Sequence, residues 1–272
     1  MDRLQDMQWL AAVVLLFSVV GRADDANSII LRSLDRDWAN FERLKNYTYE
    51  ERSETREYDK KGKLKSTEIE TNEIMILGGR HYGRLIARDD KPLSEKQARK
   101  EQEKMDKELA KRQNMSAADK AKLEKERAEG RKFLREIPEA FTLRLAGTEN
   151  ISGKPAWVIE ARPKPGYRPK QSKAKVLEKV RAKIWVDQAE YQWVKVEAEA
   201  LDTLSFGLGL FRIAPGGWLS FEQTRVNDEV WLPTRVTARA DARLALVKKL
   251  HGQIDVSYRN YKKFQTDSRI VE

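Results

Sequence analysis

The sequence contains no cysteine. Disulfides, thiolate metal sites and cysteine nucleophiles are thereby excluded, as is a cysteine that could carry a lipid anchor. The folded chain must hold together by its core alone. Histidine is nearly as scarce. His81 and His251 are the only two in 272 residues, and each sits in a strand-like setting without clustered carboxylates, which reads as a hydrogen-bonded or solvent-facing side chain rather than a metal ligand. A phosphate loop and a dinucleotide fingerprint are missing: Gly207-Leu208-Gly209 lies in an apolar strand with no third glycine, the mark of a bend or bulge. No Gly-x-Ser-x-Gly turn presents a serine nucleophile. Paired carboxylates remain open as a third and weaker reading, because 43 acidic residues single out no pair. No enzyme, cofactor or metal is expected from this inventory.

Long apolar runs are also absent, with one exception. Trp9 to Val20 is apolar and is followed by Gly21-Arg22-Ala23, which puts small residues where a signal peptidase reads. The run is shorter than the ~20 residues that cross a bilayer, so residues 1–23 are expected to be a cleaved signal peptide and the protein periplasmic. An uncleaved interfacial anchor is the alternative, since Asp2 and Asp6 offset Arg3. The formal charge of +10 comes from 53 basic residues mixed with acidic ones almost everywhere, which describes a solvated surface more than a polyanion-binding patch. Nucleic acid is not expected, because the basic insertion carries no aromatic before Phe133.

Residues 24–272 read as one domain. Ile30, Leu34, Trp38, Phe41 and Leu44 recur three or four apart and predict an amphipathic helix over Asp25 to Lys45. Strands follow at Tyr47 to Tyr58, Leu64 to Leu77 and Tyr82 to Ala87, with turns at Asp59 to Gly62 and Gly78-Gly79. Residues 94–136 then change character, becoming dense in Lys, Arg and Glu. Capping patterns at Ser94 to Gln97 and Ser116 to Asp119 predict a helical insertion made of two helices broken near Asn114. Strands resume at Phe141, pass a basic, Pro-containing exposed loop at residues 163–180, and continue as a run of hairpins to Phe264, turning at Pro215-Gly216-Gly217 and Asn227-Asp228.

The predicted strands carry Trp157, Trp185, Trp193 and Phe206, then Phe211, Trp218, Phe221 and Trp231. Any one of these reads first as core under a helix. As a set on a curved sheet they would line a concave, mostly apolar ligand cavity. Two short segments add to this: Ile184-Trp185-Val186-Asp187, and later Val230-Trp231-Leu232-Pro233-Thr234-Arg235. With the order helix, meander, insertion and antiparallel run, they resemble the LolA and LolB superfamily of periplasmic lipoprotein carriers and its outer-membrane lipoprotein-sorting-like relatives. The resemblance implies an α+β, β-rich fold: an unclosed antiparallel β-barrel, or half-barrel, covered by the N-terminal helix and the charged insertion. It further implies a binding protein for an acylated lipoprotein or lipid, with peripheral membrane contact. The alternative is a non-enzymatic envelope scaffold that docks a protein partner through the insertion.

Overall fold

The computed structural model describes residues 25–206, 211–244 and 248–264. The expected signal segment and Gly207-Leu208-Gly209 lie outside them. Helix α1 (Ala26–Leu44) starts at Asp25, whose Oδ1 accepts the Ser28 amide at 2.7 Å and satisfies one of the orphan donors of the first turn. A meander follows: β1 (Tyr47–Tyr58), β2 (Leu64–Leu77), β3 (Arg80–Arg88) and the two-residue β4 (Lys91–Pro92). Gly78 and Gly79 take positive φ at the second turn, where a side chain would be strained. The insertion is α2 (Glu95–Gln113) and α3 (Ala117–Lys132), each begun by its serine cap, followed by a 3-10 turn (Phe133–Glu136) and the short α4 (Ile137–Ala140). Next come β5 (Phe141–Ile151), β6 (Lys154–Pro163), β7 (Val180–Asp187) and β8 (Trp193–Ala200). The short β9 (Leu204–Phe206) and β10 (Phe211–Ile213) lead to β11 (Trp218–Val226), β12 (Val230–Leu244) and β13 (Lys248–Lys263).

These strands form one antiparallel sheet in the order β4-β3-β2-β1-β13-β12-β11-β8-β7-β6-β5, with β10 attached to β12 and β9 to β10. The edge strands β4 and β5 do not pair with each other, so the sheet stays open as an unclosed barrel. Helix α1 lies across one face, here called the inner face, and buries Ile29, Ile30 and Leu34 against Ile159, Ile184 and Val186.

The buried stripe of α1 is rotated from the expected one. Ala26, Ile29, Ile30, Ser33, Leu34 and Asn40 face the sheet, whereas Trp38 and Phe41 face the insertion. The guanidinium groups of Arg127 and Arg131 stand 4.5 and 4.6 Å from the Phe41 ring, and that of Arg135 stands 5.7 Å from Trp38. The helix therefore has two partners, sheet below and α3 above, and its aromatics serve the second. Neither α2 nor α3 buries a residue, so the insertion is held by arginines rather than by a core of its own. Arg112 of α2 is the firmest of these, donating to the carbonyls of Leu77 and Arg80 at 2.8 and 2.9 Å. The segment expected as an exposed loop at 163–180 also differs, because Ser172–Lys179 winds into a 3-10 helix that buries Ala174 and Leu177. Their spacing of three is the period of that helix, which places both on the core side.

Candidate functional site

Alternation along each strand decides which side chains reach the inner face. In β7, Ala182 is register partner to Ala198 of β8, which pairs with Leu219 of β11, which in turn pairs with Ala238 of β12. Three of these four side chains are alanines, broken only by Leu219, so the floor is shallow beneath its cover. The walls are Phe133, Leu134 and Ile137 from the turns after α3, Val176 and Leu177 from the 3-10 helix, and Leu204 with Ile213 from the β9–β10 pair. Together they enclose a chamber of about 410 Å³. Its lining is almost wholly apolar, and its size is within the ~300–1,000 Å³ of small-molecule sites. Gly217 is needed here, since a Cβ at that position would stand 2.5 Å from Cγ2 of Ile213 and push this wall residue aside.

One buried carboxylate joins two of the walls. Glu136 is 5% exposed, and its Oε2 accepts the Tyr167 hydroxyl and, at 2.9 Å, the Lys170 amide. Burial alone would push this carboxyl up. The hydrogen bonds from Tyr167, Lys170 and Gln171 outweigh that and hold it below the ordinary glutamate value. The same contact pushes the Tyr167 hydroxyl up, with burial as the larger cause. Glu136 thus ties the 163–180 segment to the turn that carries Phe133 and Leu134.

The chain is similar to several solved structures. One is a putative outer membrane lipoprotein-sorting protein domain from Vibrio parahaemolyticus, at 11% identity and a TM-score of 0.35, covering 89% of this chain and 95% of that one. A LolA superfamily protein from Nitrosomonas europaea has 11% identity and a TM-score of 0.31 over 89% and 94% of the two chains. A DUF1329 family protein from Desulfovibrio piger has 12% identity and a TM-score of 0.34 over 91% and 95%. No protein-family model matches the chain, and no curated protein matches it in sequence.

The eight aromatics named from the sequence do not share one face. Trp193 lines the chamber and donates from Nε1 to Ser33 Oγ of α1 at 2.7 Å. Trp157 packs beside the Tyr191 ring, 5.0 Å between centroids, under the same helix. Phe221 is register partner to Val196, a chamber residue, and so belongs to the inner face. Trp218 borders the chamber on one side and a charged surface groove on the other, with the Arg239 guanidinium 5.6 Å from its ring. Phe206 and Phe211 are register partners between β9 and β10.

Trp185 and Trp231 lie on the outer face, against the expectation of a shared concave surface. They are only 3% and 4% exposed, and pack with Val158 and Val194 in a second small core. Lysines close it from solvent: Lys183 and Lys195 stand 4.6 and 4.8 Å from Trp185, and Lys154 stands 5.0 Å from Trp231. Their ring nitrogens donate outward, Trp185 to Glu149 at 2.8 Å and Trp231 to Glu190 at 3.0 Å. The aspartate of the same Trp-Val-Asp segment, Asp187, serves the β7–β8 turn by accepting the amides of Ala189 and Glu190 at 3.0 and 2.7 Å. Among the described residues no group of three or more His, Asp and Glu converges to hold a metal ion. His81 contacts the Tyr47 carbonyl at 2.8 Å, and His251 contacts Asp241.

Proposed function

We propose that the chain is an exported, periplasmic binding protein, a carrier or sensor, whose ligand is amphipathic or acylated and places its hydrocarbon part in the chamber. The observation that carries the reading is the alanine-floored apolar chamber itself. A water-filled cavity with such walls offers its waters almost no hydrogen bonds, so an apolar occupant gains what water loses. Each methylene transferred from water contributes about 0.8 kcal/mol, and a ten-carbon segment therefore contributes up to about 8 kcal/mol before the costs of immobilisation. The N-terminal apolar run supports export. No helix among the described residues is long and apolar enough to cross a membrane.

Native mass spectrometry of the protein purified from the envelope fraction, before and after organic extraction, tests this reading. A mass of lipid size lost on extraction, together with binding of a fatty-acyl probe by the extracted protein, is the expected result. A clean unliganded mass with no probe binding would sink it.

A second reading makes the insertion a docking arm for an envelope protein. It is supported by two helices that bury no side chain and meet the body through arginines. Replacing residues 95–130 with a short linker would then abolish partner capture while leaving the sheet folded.

A further inference from the structure

The inner face continues beyond the chamber, and there it carries an acidic residue that no described residue balances. Register follows the row Val196, Phe221, Val236, Val256 and Ser53 across β8, β11, β12, β13 and β1. Glu51 is two residues from Ser53 and so shares its face. On β1 it stands between Tyr258 of β13 and Asn72 of β2, its register partners. Tyr49, two residues away again, has its ring 5.9 Å from that of Tyr258 and 5.2 Å from that of Tyr261.

The outer-facing neighbours of Glu51 on the same strand are matched: Glu50 by Arg259 at 2.9 Å, and Arg52 by Asp90 at 2.7 Å. Among the described residues, Glu51 has no hydrogen bond and no ion pair. Burial pushes its carboxyl up. The Tyr49 hydroxyl is pushed up to about 12, by burial first and by the charge of Glu51 second, and Tyr258 is raised for the same two reasons. The carboxylate and the two phenols therefore act on one another electrostatically. Tyr261 is accounted for by its bond to the Pro233 carbonyl at 2.6 Å.

A half-buried, unpaired carboxylate beside aromatic faces and phenolic oxygens is complementary to an alkylammonium group, which supplies the missing charge and donates to the oxygens. We propose that Glu51, with Tyr49 and Tyr258, receives the ammonium end of a primary-amine amphiphile whose hydrocarbon chain extends into the apolar chamber. Four strand spacings of about 4.8 Å, roughly 19 Å, separate β1 from β8. One acyl chain spans half of the ~30 Å hydrocarbon core of a bilayer, so the distance is one that a lipid-sized molecule bridges. The inference rests on the carrier reading and adds the chemistry of the head group to it.

The test is isothermal titration of the purified, extracted protein with dodecylamine, dodecanoate, 1-dodecanol and propylamine. Dodecylamine should bind roughly tenfold or more tightly than the other dodecyl probes, the size of effect a charge-assisted pair gives. In Glu51→Gln that preference should vanish while 1-dodecanol binding is unchanged, and Tyr258→Phe should weaken the amine alone. Equal dodecylamine affinity in the wild type and Glu51→Gln, a preference for dodecanoate, or propylamine binding as tightly as dodecylamine would each overturn the inference and leave the carrier standing. If no dodecyl probe binds, the carrier reading falls, and this inference falls with it.

Discussion

The inner face of the sheet is one hydrogen-bonded surface with two kinds of floor. Along one row, Ala182, Ala198, Leu219 and Ala238 continue into Ile254, Thr55 and Glu68; the apolar side chains stop where β13 meets β1. The strands from β7 to β12 offer an apolar chamber, while the N-terminal meander offers Tyr49, Thr55 and Asn72 with the carboxylates of Glu51, Glu68 and Glu70. One antiparallel ladder runs through both halves, so the difference lies in the side chains and in the elements packed over them. A single curved sheet can therefore present a solvent for the tail and a receptor for the head of the same molecule.

The comparison breaks most decisively if the chamber is filled. Ala182→Phe combined with Ala238→Phe should cost an acyl probe about a hundredfold in affinity, equivalent to displacing three or four methylenes. Thr55→Phe, on the polar floor, should leave the same affinity within about threefold. Probe titration with near-ultraviolet dichroism as a folding control reads both.

Stability should also report how α1 is fastened to the β7–β12 half. Asn40 of α1 bonds both backbone groups of Trp231, accepting its amide at 2.7 Å and donating to its carbonyl at 2.6 Å. Asn40→Ala leaves two buried backbone groups unpaired and should lower unfolding free energy by about 2 kcal/mol in urea. Ser33→Ala, which loses the Trp193 bond on the chamber side, should cost about 1 kcal/mol.

Glu136 gives a pH signature to the chamber wall. Because its folded value is depressed, its contribution is present above the ordinary glutamate value and is lost as pH falls from about 4.5 through the folded value. Glu136→Gln should be about 1–2 kcal/mol less stable at neutral pH and should show a flatter stability profile below pH 4.5. A parallel profile in the two proteins would remove Glu136 as the source. The smallest effect belongs to the cover: Arg131→Ala should cost only about 0.5–1 kcal/mol, seen as faster amide exchange confined to α2 and α3.

Much of this architecture was legible in the sequence because alternation and turn chemistry are local. The hairpin at Asn227-Asp228 takes positive φ at both residues, as its composition demands, and the two serine caps begin their helices where expected. The site was harder to read. Large aromatics drew attention, yet space for a ligand was made by alanines, which leave no mark when read one residue at a time. Adjacent residues of a strand point to opposite faces, and a register shift between Trp185 and Val186 uncouples their parity from that of β8, so Trp185 and Trp193 end on different sides. The α1 stripe departs from the expected one for a related reason. A period of 3.6 shows which residues are apolar but not that two separate layers share them.

The pairing of β1 with β13 sets Tyr47 beside Lys263, joining strands from opposite ends of the described chain. A ribosome releases the beginning of this chain long before its end. Until the last strand arrives, the meander has no neighbour on one side, and the long edge of β12 has none either. Loop closure over so many residues is slow, and contact order of this kind delays completion of a fold. The sheet thus stays in two unjoined parts until its final strand docks between β12 and β1, and the inner face becomes one surface only at that step.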